Sequence, residues 1–237
     1  MATLPYSVLS MLSFHSMDGR YSVTLADSRQ EYGDVWTFSF QTEEPVPYLA
    51  GQYAHLKLLG LETGSVHEFS FSSAPEEAYL SFTIRLRQES EYKQFLKRMG
   101  PGAPAEIFKI KGEFTLQDEG PSPIFIAQGI AITPVRSIVK DRSVRNLPLP
   151  RALIHVDRGP YLFEGELSPL PFSQYRIGRS DIDATLENLA AQAGIASSEP
   201  EVPYYVIGSP EFVLNISEKL QSLGIAETRL KTDDWGY

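Results

Sequence analysis

The hydrophobic pattern of this 237-residue chain changes its period once, near residue 117, and that change restricts the fold more than any other feature. Before it, Tyr21–Asp27, Val35–Gln41, Gln52–Leu58, His67–Ser73, Tyr79–Arg87 and Ala105–Lys111 are short runs rich in β-branched and aromatic residues. Turn-forming clusters such as Glu43–Pro45, Glu62–Gly64 and Ala74–Glu77 punctuate them. One helical segment interrupts, from about Ser90 to Met99. Six strands spaced this closely predict an antiparallel six-stranded β-barrel. After Gln117-Asp118-Glu119-Gly120-Pro121-Ser122-Pro123 the rhythm differs. Ile124–Ala127, Ala152–Val156 and Tyr204–Ile207 are continuous apolar runs of the kind buried on both faces of a parallel sheet. Helical patterns near Pro134–Arg142, Asp181–Ala193 and Glu211–Leu223 separate them, which implies right-handed βαβ units in an open sheet. The expectation is a two-domain chain: a barrel over residues 1–117, followed by an α/β domain with a parallel sheet over 123–237.

Composition removes several function classes. The chain has no cysteine, so it holds no disulfide, zinc-thiolate site or iron–sulfur cluster. Its four histidines lie at no metal-ligand spacing, and no metal site is expected. A formal charge of −9, from 21 basic and 30 acidic residues, argues against nucleic-acid binding. No run approaches the ~18 apolar residues of a membrane span, and no basic residue precedes the mildly apolar Leu4–Leu12 as a secretory signal would need. A cytoplasmic protein is expected. From Arg85 to Lys111, however, seven basic residues face three acidic ones, so this region suits either a solvated face, a phosphate group or an acidic protein partner.

Two segments carry chemistry. In His67-Glu68-Phe69-Ser70-Phe71-Ser72-Ser73, strand alternation places His67, Phe69, Phe71 and Ser73 on one face and Glu68, Ser70 and Ser72 on the other. An aromatic followed by small hydroxyls suits a planar ligand with polar edges. In Ile124-Phe125-Ile126-Ala127-Gln128-Gly129-Ile130-Ala131-Ile132-Thr133-Pro134, a buried strand runs into a helix, a junction that points backbone N–H groups at a phosphate.

Taken in order, with Gly51-Gln52-Tyr53 before the first segment, Ile84-Arg85 after it, and Ile207-Gly208-Ser209-Pro210 near the end, these motifs resemble the ferredoxin–NADP reductase superfamily. The resemblance spans roughly Tyr21 to Tyr237. It implies FAD as cofactor, with Phe69 and Ser70 against the flavin ring, Ser73 holding its polar arm, and Ile84 and Arg85 at the ribityl and pyrophosphate region. It implies that Thr133 touches flavin and nicotinamide, that Gly129 and Gly208 admit the nucleotide, and that a terminal aromatic stacks on the ring. Tyr237 is the first candidate for that stack and Trp235 the second. Ser70, Thr133 and Tyr237 would shape hydride transfer.

The sequence also departs from the family's pattern. The fingerprint arginine that grips pyrophosphate is His67, and the small hydroxyl at the next helix start is Lys93. A lysine there adds a phosphate-seeking charge where the helix dipole favours an anion, so Lys93 is expected to compensate for His67. Gln128 and Ala131 replace two glycines of the nucleotide loop, and Ile207 replaces a cysteine. After the second strand of the α/β half, Asp157 suits a ribose 2′-hydroxyl, whereas Arg158, with Arg176 and Arg179, suits a 2′-phosphate; the nucleotide is NADP(H) or NAD(H). The chemistry implied is electron transfer from NAD(P)H through flavin to a separate acceptor, such as a ferredoxin-like protein or an oxygenase component. The rival is a flavin- or nucleotide-binding regulatory subunit with little turnover of its own.

Overall fold

The computed structural model describes residues 19–86, 90–192 and 202–235, the side chains of 189–192 excepted. The first half is one antiparallel sheet of β1 (Arg20–Tyr32), β2 (Val35–Gln41), β3 (Tyr53–Leu58), β4 (Val66–Ser70), β5 (Leu80–Arg85) and β6 (Pro104–Lys111), in the order β4-β3-β6-β1-β2-β5. The run expected as one strand over His67–Ser73 divides its pairing. As far as Ser70 it lies on β3; Phe71 then bridges Phe82 of β5, and the Ser72 N–H bonds to Ser81 O. That crossing brings the two edges of the curled sheet together, as the expected barrel requires. Its interior is filled by Leu25, Phe38, Phe40, Leu56, Phe71, Phe82 and Ile107, all fully buried. Tyr48 stacks on Phe71 with centroids 4.0 Å apart. Helix α1 (Glu91–Arg98) starts at Ser90, whose hydroxyl accepts the Lys93 N–H. It plugs one barrel end with Tyr92 and Leu96.

The second half is a parallel sheet of β7 (Ile124–Gln128), β8 (Ala152–Val156), β9 (Ser173–Ile177), β10 (Tyr204–Gly208) and β11 (Leu230–Asp234), ordered β11-β10-β7-β8-β9. Helices α2 (Thr133–Val144), α3 (Glu164–Leu167), α4 (Ile182–Gln192) and α5 (Pro210–Ser222) accompany it. The three central strands match the apolar runs of the sequence. The outer two, β9 and β11, carry no such run, because an edge strand is half solvated and reads as polar (Ser-Gln-Tyr-Arg-Ile and Leu-Lys-Thr-Asp-Asp). From β7 the chain winds outward through β8 to β9, then crosses back to β10 on the other side of β7. That reversal leaves a crevice at the carboxyl ends of β7 and β10, the place where open α/β sheets take ligands.

The halves share apolar packing. Val35 of the barrel and Phe114 of the connecting segment pack with Phe125, Val135, Val139 and Ile207 in one buried cluster. The Tyr205 hydroxyl donates to Thr115 O at 3.1 Å. The opposite face of the parallel sheet is closed by Phe212, Val213, Ile216 and Leu220 of α5.

Candidate functional site at the seam of the two halves

A cleft of about 740 Å³ opens where the barrel meets the α/β half, and it gathers most of the residues singled out from the sequence. From the barrel come His67, Phe69 and Ser70 of β4, Ile84 and Arg85 of β5, and Lys93 of α1; from the other half comes Thr133. Ile84 and Thr133 are almost fully buried, so they form floor and wall. Arg85 pairs with Asp34 at 2.8 Å. His67 lies over Tyr92, with ring centroids 4.2 Å apart. Burial, and then the nearby Lys93 charge, lower the His67 pKa below the usual histidine range. At neutral pH the imidazole is therefore uncharged, and the cationic groups of the cleft are Lys93 and Arg85.

Further residues line it, all but Trp235 not placed there by the sequence reading. Ser90 and Thr83 add hydroxyls, Tyr53 and Ile130 add apolar wall, and Asp233, Asp234 and Trp235 arrive from the end of β11. The Trp235 N–H bonds to Gly208 O at 2.9 Å and its indole N–H donates to Asp233 at 3.2 Å. Burial pushes the Asp233 carboxyl up, against that hydrogen bond. Trp235, the second candidate for the aromatic stack, thus stands in the cleft; Tyr237, the first, lies outside the described residues.

Ser73, Gly129, Arg158 and Gly208 do not line the cleft. Ser73 is 1% exposed. Its hydroxyl accepts the Ser81 N–H and bonds to the Tyr48 hydroxyl, and its carbonyl accepts the Ser137 hydroxyl at 2.6 Å. It is a joint between barrel and α2. Gly129 adopts φ +55, which favours glycine, at the start of the turn from β7 into α2. Its carbonyl lies 2.9 Å from the His155 ring nitrogen. Asp157 Oδ2 faces Gly129 and has no hydrogen-bond partner among the described residues, while Arg158 is exposed. Arg176 turns away to Glu164 and Ser168.

Sequence reasoning missed Arg136 altogether. One turn into α2, its side chain is only 10% exposed. Its guanidinium donates to Ser72 O at 2.7 Å, to both carboxylate oxygens of Glu77, and to Glu166 of α3. With Ser137, this network ties the first turn of α2 to the segment just beyond β4. Thr133, at the start of α2, and Ser70, at the end of β4, both line the cleft beside this tie. No local signal marks an arginine for this use, because all its partners are remote in sequence.

A curled six-stranded antiparallel sheet and a five-stranded parallel one, meeting over a large cleft, make up a two-domain fold like that of ferredoxin NADP⁺ reductases, as the order of the motifs implied. No protein-family profile matches the chain. It is 29% identical over 148 residues to the flavohemoprotein of Halalkalibacterium halodurans, covering 56% of this chain and 36% of that one. It is 27% identical over 135 residues to methane monooxygenase component C of Methylosinus trichosporium, covering 55% and 39%. The matches thus span less than half the length of these curated relatives. Among solved structures, a ferredoxin NADP⁺ reductase from Neisseria gonorrhoeae, with bound FAD and NADP, superposes with a TM-score of 0.76 at 17% identity, covering 91% of this chain and 98% of that one. No helix among the described residues is long and apolar enough to cross a membrane.

Proposed function

We propose that the chain is an FAD-dependent NAD(P)H oxidoreductase unit that passes electrons to a separate acceptor. The observation that carries this reading is the cleft itself, which brings an aromatic–hydroxyl strand, two cationic side chains and the Thr133 turn to one cavity. The donor set fits a flavin dinucleotide. Phe69, Tyr53, Ile84 and Trp235 offer apolar surface to a planar ring, Ser70 and Thr133 offer hydroxyls to its polar edge, and Lys93 and Arg85 offer charge to a pyrophosphate. Bound there, FAD would supply a carrier that accepts electrons in pairs and releases them singly. This chain's residues do the rest. Lys93 and Arg85 bind and orient, and the neutral His67 donates a hydrogen bond without adding charge. Phe69 and Trp235 exclude water, and Ser70 and Thr133 hold the reacting edge in register.

Matches to an oxygenase component and to reductases support delivery to a separate protein. The exposed basic end of α1, with Lys97 and Arg98, is the proposed docking face for an acidic carrier. The test is an absorption spectrum of the purified protein after incubation with FAD and gel filtration, then after anaerobic NADPH or NADH. Retained yellow colour that bleaches with nucleotide is expected. Failure to retain FAD overturns the proposal, and colour that persists under both nucleotides supports the non-catalytic binding subunit instead.

A further inference from the structure

The crevice at the carboxyl ends of β7 and β10 is filled by the chain's own Gln128. Gln128 ends β7 and Gly208 ends β10, neighbours across the point where the strand order reverses. The Gln128 side chain crosses between them, and its amide oxygen accepts the Ser209 N–H at 3.0 Å. Ser209 caps the 13-residue helix α5, so this N–H lies at the positive end of a helix dipole. The space is closed as well as the hydrogen bond. A methyl group added at Gly208 would lie 2.7 Å from a Phe212 ring carbon, 2.9 Å from Gln128 Cβ and 3.1 Å from its amide oxygen.

We infer that Gln128 is a built-in stopper of the dinucleotide crevice. It lends a neutral carbonyl oxygen to the N–H that a phosphate oxygen of the nucleotide would otherwise take, and the nucleotide binds only when Gln128 swings out. The inference rests on the reading of the chain as an NAD(P)H oxidoreductase and adds the residue that sets its nucleotide affinity. A stopper of this kind divides the intrinsic affinity by one plus the closed-to-open ratio. One net hydrogen bond of ordinary strength makes that ratio about fivefold. The side chain is only partly buried, so it has solvent to swing into. Its neutrality matters, because a carboxylate at the same place would repel the phosphate in either position.

The test is calorimetric titration of the full chain with ADP-ribose and its 2′-phosphorylated form, which carry the pyrophosphate and no redox chemistry, and with AMP as the control. Gln128→Gly removes the stopper. Gln128→Asn keeps Cβ and the amide but is one methylene too short to reach the Ser209 N–H. The expected result is a Kd for the preferred ADP-ribose that falls about fivefold or more in Gln128→Gly and by a smaller factor in Gln128→Asn, with the AMP Kd moving less than twofold. A Kd for ADP-ribose that stays within twofold, or rises, in both variants overturns the stopper and leaves the nucleotide site standing. No binding of either ADP-ribose by wild type or variants overturns the nucleotide site, and the stopper with it.

Discussion

Replacing Arg136 by methionine tests whether the tie between barrel and α2 holds the two halves in register. Methionine keeps an unbranched stem and removes the guanidinium. Its loss strands the Ser72 carbonyl, at about 1–3 kcal/mol for an unpaired buried acceptor, and leaves Glu77 and Glu166 facing each other without their shared cation. Breaking a buried ion pair by removing one partner costs about 3–5 kcal/mol. Because Glu77 and Glu166 are 29% and 32% exposed, water recovers part of that, and the low end applies. The expected loss is about 3 kcal/mol in urea unfolding at pH 7, or about 6–12 °C in Tm for a chain of this size. Tryptophan emission is the natural probe, since Trp36 sits in the barrel and Trp235 at the seam. Arg136→Lys keeps the charge without the planar fork and should lose about half as much. The sign with pH is fixed by Glu77. Burial pushes its carboxyl up, but the Arg136 hydrogen bond and charge outweigh burial and hold it below the usual range. Its contribution is therefore present above the unfolded value of about 4.3 and is lost as the pH falls through the lower folded value. A loss under about 1 kcal/mol for Arg136→Met at pH 7 would refute the argument, since that is what an exposed pair contributes.

Asp141, buried on α2, should behave with the opposite sign. Burial and the neighbouring Glu76 carboxylate push it up to about 7, against Arg145. A raised folded value gives stability that is complete below the unfolded pKa of about 3.9 and is lost as pH rises through 7. Relative to wild type, Asp141→Asn is expected to gain Tm progressively between pH 5 and 8; a difference independent of pH would sink the idea. If Lys93 compensates for an uncharged His67, Lys93→Ala should release more FAD on gel filtration than His67→Ala, and equal flavin content in the two would exclude that compensation.

How much was legible in the sequence follows from the range of each interaction. The six barrel strands and the three central parallel strands show in the period of their own residues, which burial on one or both faces imposes. Strands β9 and β11 do not, because an edge position imposes no apolar run. The motif order led to His67, Phe69, Ser70, Ile84, Arg85, Lys93 and Thr133, and the fold brings all seven to one cleft. The same order also pointed at Ser73, whose hydroxyl is taken up inside the barrel by Ser81 and Tyr48 while its carbonyl joins α2, because a strand pattern does not show where the chain leaves one neighbour for another.

By itself the sequence determined the class of each half, the absence of any cysteine thiolate ligand, and the candidates that lie within a few residues of a strand end. Local sterics and hydrophobic periodicity suffice for these, since each is settled within a few residues. Only the tertiary structure decided what those residues do to one another. Arg136 meets Glu77 across 59 positions, and Gln128 meets Ser209 across 81. Trp235 enters the cleft because β11 pairs with β10 in parallel. Contacts of that range are fixed by how the sheets stack and where the strand order reverses, and a linear pattern carries no record of either.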